Sequence, residues 1–127
     1  MPFGSDSFFL FFFLFSRISH CHCRMRRKAH GAAFATFGNV RREDLRWVAG
    51  EDDLARYESS PGGMRTFCRR CGASLHWYRD GEEIQGITLG VLDDDSEVRV
   101  EHHIFTDHRT PWFEITGDLP QYPGDDE

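Results

Sequence analysis

Short alternating or apolar runs recur at intervals of about ten residues, and this rhythm restricts the fold more than any other feature of the chain. The runs are Ala32 to Phe37, Leu45 to Ala49, Leu54 to Glu58, Met64 to Cys68, Ala73 to Tyr78, Ile84 to Leu89 and Val98 to Ile104. The first stops at Gly38-Asn39, the second at Gly50, and the third runs into Ser60-Pro61-Gly62-Gly63, a strong turn signal. Helix is confined to a turn or two near Met25 to His30. The pattern predicts a mostly β domain with little helix, and 127 residues are enough for one core and one domain.

Composition removes several classes of partner. With 28% charged and 14% aromatic residues the chain is ordinary globular material. Its 15 Lys and Arg against 21 Asp and Glu, a net charge of −6, argue against nucleic acid as a partner. The longest unbroken apolar run, Phe8 to Phe15, falls far short of the ~20 residues that a helix needs to span a membrane. Charge is unevenly placed. Arg17 to Arg46 is strongly basic and Asp93 to Glu127 strongly acidic. This asymmetry reads as two solvated faces of one domain, or as a positive rim around an anionic ligand.

Residues 1–16 look foreign to the rest. Seven of the twelve phenylalanines lie between Phe3 and Phe15, with neither a strand nor a helix period. The segment reads as a buried or mispaired strand, or as an aberrant start that replaces the normal first strand. The domain is expected over residues 17–122, followed by an acidic tail, 123–127, and the proline-broken stretch from Leu119 to Glu127 is expected to be draped or loose. No Lys or Arg precedes the Phe run and no small-x-small site follows it, so a secretory signal fits poorly. The expected location is cytoplasmic, with reduced thiols.

The four cysteines form two tight pairs. Cys68-Arg69-Arg70-Cys71-Gly72 is a C-x-x-C-G knuckle whose two thiolates can face one point, with a glycine free to turn the backbone beneath. Zinc favours such thiolates. The alternatives are buried structural cysteines or a redox pair, and the redox reading lacks its βαβ context. In His20-Cys21-His22-Cys23 the two thiols share one side of an extended strand and the histidines take the other. This pair too reads as zinc ligands, or as strand cysteines beside solvent-facing histidines. By spacing alone, each pair supplies two ligands, so one shared four-cysteine site is the simplest count.

The segment Cys21-His22-Cys23-Arg24-Met25-Arg26-Arg27-Lys28-Ala29-His30-Gly31-Ala32-Ala33-Phe34 resembles the C-H-C-x-x-C-R-K-x-x-G/A-x-x-F signature of the glutathione-dependent formaldehyde-activating enzyme family. The same domain occurs in centromere protein V. The resemblance continues through Phe67 to Leu75, Gly90 to Asp93, His103 to Phe105 and Pro111 to Phe113, and covers residues 18–122. It implies a small zinc-binding fold of two packed sheets (a β-tent) and a zinc-dependent carbon–sulfur lyase acting on S-hydroxymethylglutathione or a similar small-molecule thiol adduct. Two zinc ions are implied. A structural ion is held by an N-terminal C-x-C together with the later C-x-x-C. A more open, catalytic ion is held by C-x-C-x-x-C.

Carried onto this chain, the open site keeps Cys21 and Cys23 and the structural site keeps Cys68 and Cys71. Arg24, Arg27 and Lys28 are candidates for attracting the glutathione carboxylates. Two departures stand out. The N-terminal C-x-C is absent, and Arg26 stands where the third cysteine of the open site belongs. Arginine stays protonated and cannot ligate a cation. His30, His76, His102, His103 and His108 read as surface or core-edge histidines before they read as replacement ligands. The rival function is a non-catalytic zinc-binding interaction domain that has lost the open site.

Overall fold

In a computed structural model, residues 9–11, 15–92 and 98–125 are described. Most of the Phe-rich segment, Asp93 of the family resemblance and the last two residues of the tail lie outside them. The strands are β1 (Phe9–Phe11), β2 (Ser16–Cys21), β3 (Ala35–Arg41), β4 (Arg46–Ala49), β5 (Leu54–Ser60), β6 (Gly63–Cys68), β7 (Ser74–Arg79), β8 (Ile84–Thr88) and β9 (His102–Ile104), with one α-helix, α1 (Arg24–His30). Strands begin or end within a few residues of most of the expected runs. Two differ: β3 starts only at Ala35 and continues through Gly38-Asn39, where the first run was expected to stop, and of Val98 to Ile104 only the last three residues are strand.

Seven strands form one sheet in the order β5-β6-β7-β8-β3-β2-β9, and β1 pairs with β4 in a separate two-stranded ladder. Neighbours in the large sheet are antiparallel except β2 and β9, which run parallel. Turn chemistry explains the hairpins. Gly62 between β5 and β6 and Gly81 between β7 and β8 both have positive φ, +77° and +84°, which glycine adopts without strain. Between β6 and β7 the chain turns through the cysteine knuckle. There Gly72 N–H donates to Cys68 O at 2.7 Å and Cys68 N–H to Ala73 O at 2.9 Å.

Helix α1 lies between β2 and β3. Cys23 caps its start by accepting from Arg26 N–H, and Gly31 ends it in the left-handed region. Arg27, Lys28 and His30 occupy its last turn, where positive charge complements the helix dipole.

Leu54, Leu75 and Cys68 form a buried apolar cluster with Trp47, Cys71, Ala73 and Val91 packed against it. Ile87, Val40 and Ile18 are buried elsewhere in the sheet. Polar groups are buried too, and several are paired, while His22 Nδ1 and Arg27 Nε have no hydrogen-bond partner among the described residues. Thr88 Oγ1 donates to the carbonyls of Ser74 and Leu75, and Thr66 Oγ1 bonds the His76 ring and accepts from His76 N–H. The tail is draped rather than loose as far as Asp125. His103 N–H donates to Pro120 O and Tyr122 N–H to His103 O, so the chain end covers the outer edge of β9. At the other end Phe15 lies against Gly38, and Ser16 already belongs to β2, so ordered packing begins before residue 17.

Candidate active site

Strand register builds the floor of a cavity. Asn39 pairs with Ser16 on one side and Gly86 on the other; Gly86 pairs with Trp77, and Trp77 with Arg65. Cross-strand partners point to the same face, and all five residues line one cavity of about 650 Å³. Gly86 keeps this floor open, since a Cβ there would sit 3.3 Å from the Phe37 ring. A bulge in β2 puts Arg17 in the left-handed region, φ 50°, and its side chain also lines the cavity.

Cys21 and Cys23 line the same cavity. Cys21 ends β2 opposite Ala35, and Cys23 Sγ accepts from Arg26 N–H at 3.4 Å. The period-2 expectation holds: His20 and His22 turn away, onto Phe34 and His103, and His22, fully buried rather than solvent-facing, is hydrogen-bonded through Nε2 to His103 Nδ1 at 2.9 Å. The hydrogen bond between the two thiols lowers the Cys23 pKa to about 6, aided by Arg26, and the same bond together with burial raises that of Cys21.

Arg26 reaches from α1 into the cavity. Its guanidinium carbon lies 4.2 Å from the centroid of the Phe37 ring and 5.4 Å from that of Trp77. Burial lowers its pKa; Cys21 and Cys23 oppose that shift, and Arg65 adds to it. Arg65 and Arg79 complete a set of four arginines around the cavity with Arg17 and Arg26. Arg24, Arg27 and Lys28 are absent from the lining. Arg24 and Lys28 are exposed, and Arg27 lies on the side of His22, whose pKa it helps to lower.

Cys68 and Cys71 lie elsewhere, in the apolar cluster with Leu54 and Leu75, and Cys68 is fully buried. All four cysteines are free thiols. A single four-cysteine site does not form: among the described residues no three His, Cys, Asp or Glu side chains gather as a metal would need. Zinc takes at least three protein ligands. The described residues therefore do not fit the zinc ions that the resemblance implies. At the knuckle two thiols face leucines, and beside Cys21 and Cys23 the third signature position holds a cation.

Sequence reasoning missed Arg17, Arg65, Arg79, Phe37 and Trp77. Alternation along β6 and β7 puts Arg65 and Trp77 on definite faces, but only their pairing shows that the two faces coincide.

Fold and site together define a small β-sheet domain in which a thiol pair and four arginines face one cavity. A family model described as glutathione-dependent formaldehyde-activating enzyme matches residues 15–108, and the chain belongs to that family. A protein of Rhodobacter sphaeroides with a known crystal structure is similar in fold. It is 20% identical with a TM-score of 0.60, over 91% of this chain and 92% of the other. No curated protein matches. Among the described residues no helix is long and apolar enough to cross a membrane.

Proposed function

We propose that this family member binds a small thiol of the glutathione kind in the arginine-lined cavity and makes or breaks the carbon–sulfur bond of its hydroxymethyl adduct there. The observation that carries the reading is the meeting of Cys21, Cys23 and Arg26 in one cavity of a domain of this family. Joining a thiol to formaldehyde needs a base for the S–H proton and a cation for the oxygen that becomes negative. Cys23, held as the thiolate, accepts the proton. The substrate sulfur then attacks the carbonyl carbon, the C=O π pair moves to oxygen, and an Arg26 N–H donates to that oxygen. The proton returns from Cys23 to give the hydroxyl, so one carbon–sulfur bond forms with no change of oxidation state. The lyase direction is the reverse.

A zinc-dependent course would need a third protein ligand beside Cys21 and Cys23, and Arg26 stands where the family signature has one, so the reading includes no resident ion. The test is to follow S-hydroxymethylglutathione formation by the purified protein with glutathione and formaldehyde, with and without a chelator. Acceleration over the uncatalysed rate that survives the chelator, and is lost in Cys23→Ser, supports the reading. Arg26 also favours a second one, a domain of this family that binds without turnover. Saturable binding of glutathione with no acceleration would select it.

A further inference from the structure

Among the described residues, two of the four cavity arginines have no acid to meet them. Arg17 pairs with Asp125 at 3.4 Å and Arg79 with Glu82 at 3.7 Å, and these two carboxylates are the acidic members of the lining. Among the described residues neither Arg26 nor Arg65 has a carboxylate partner. Arg26 rests on Phe37 and Trp77, and Arg65 lies with its guanidinium carbon 5.3 Å from the centroid of Tyr57. The two stand close enough to repel one another. Both also line a small crevice with His30, Thr66 and Thr88, where no acid lies among the described residues either.

A cation taken from water without a counter-ion is costly, and two side by side cost more. Aromatic faces offset part of that cost. Even with Cys23 counted as a thiolate, one negative charge faces two guanidinium groups. The family signature has a thiolate at position 26, and this chain has a cation there. The cavity's preference is thereby inverted, from holding a dication to holding an anion.

We infer that Arg26 and Arg65 form an anion-binding subsite that takes the oxyanion group of a small organic ligand, with the body of that ligand against Phe37 and Trp77. Guanidinium forks suit the shared chemistry of carboxylate and phosphate oxygens. The subsite rests on charge and placement, and it stands whether or not a thiol adduct is turned over in the same cavity.

The experiment measures binding to the full chain by calorimetry and tryptophan fluorescence. The probes are glutarate, inorganic phosphate and neutral glutaramide. Saturable binding of glutarate or phosphate is expected, weakened by added salt, with glutaramide much weaker. Each of Arg26→Gln and Arg65→Gln should weaken it by about tenfold or more, the effect of losing a charge-assisted hydrogen bond. Arg41→Gln, an exposed arginine paired with Glu43 and Glu83 outside the cavity, should change nothing. Tighter binding of glutarate assigns the subsite to a carboxylate ligand, and tighter binding of phosphate to a phosphate ester. If Arg26→Gln fails to fold, Arg65→Gln and the salt dependence still decide. Equal binding of glutarate and glutaramide, binding of neither oxyanion, or full affinity in a folded Arg65→Gln variant overturns the inference. Glutarate binding without adduct formation leaves the subsite standing and removes the thiol-adduct reading.

Discussion

The guanidinium of Arg26 lies over the ring of Phe37, 4.2 Å from its centre, in the cavity that also exposes Cys21 and Cys23. Phe37 belongs to β3 and Arg26 to α1, so the stack ties the helix to the sheet beside the thiol pair. A side chain held in this way is a fixed part of the site. It decides which charge the cavity accepts.

Arg26→Cys restores the third thiol of the family signature and removes a positive charge from beside the pair. The parent should hold far less than one zinc per chain after dialysis, and the variant roughly one at this site, as three thiolates allow. Elemental analysis of both proteins at equal concentration checks this. A parent that keeps a full ion would mean that ligands outside the described residues complete a site.

Cys23 should be the reactive thiol. Its pKa falls from 9.0 to about 6, chiefly through the hydrogen bond with Cys21. The stability that its thiolate contributes is therefore full above pH 9, declines as pH falls toward 6 and is absent below. Alkylation by iodoacetamide, followed by mass spectrometry, should reach half its maximal rate near pH 6 at Cys23 and leave the buried Cys68 intact. Cys21→Ala removes that partner and should move the midpoint upward.

Acid should destabilise the domain through its histidines. Burial is the largest cause that lowers His20, His22 and His76 from 6.5 to about 4. The unfolded chain then binds more protons than the folded one between pH 6.5 and 4, so stability falls as pH drops through that window. Melting temperature against pH should show this decline. His76→Gln should flatten it.

Cys68→Ser tests what the knuckle does. The thiol sits fully buried among Leu54 and Leu75, and a hydroxyl there lacks an evident partner. A loss of about 1–3 kcal/mol in denaturant unfolding is expected, with zinc content unchanged. A parallel fall in bound zinc would return the knuckle to a metal role.

Gly38→Val should also be costly. Even a Cβ at this position would lie 2.6 Å from Cδ1 and 3.0 Å from Cγ of Phe15, so the Phe15 ring would have to leave its place on β3. A loss of about 1–3 kcal/mol follows from such overpacking. The same contact predicts that removal of residues 1–16 destabilises the domain more than removal of residues 1–14. Thermal melts of the two truncated chains compare them directly.

Much of this was legible in the residues, because it depends on neighbours in sequence. Alternation marked the central strands, Gly62 and Gly72 marked turns, and the C-x-C spacing put Cys21 and Cys23 on one side with His20 and His22 on the other. The family, too, was readable from the stretch between Cys21 and Phe34. Arg24, Arg27 and Lys28 were the candidate anion-attracting cations beside Cys21 and Cys23, yet of the helix's cations it is Arg26 that lines the cavity.

The sequence by itself therefore determined the β class, the place of the one α-helix among the described residues, the facing of the two thiols and the presence of a cation, Arg26, beside them. Each of these is set by backbone geometry over a few residues. Only the tertiary structure decided that Arg65 and Trp77 meet Gly86, Asn39 and Ser16 in one row, that β9 runs parallel to β2, and that the two cysteine pairs lie apart. Those relations come from the register and order of strands far apart in the chain. Side-chain alternation assigns a residue to a face, and long-range pairing alone says which other residues share it.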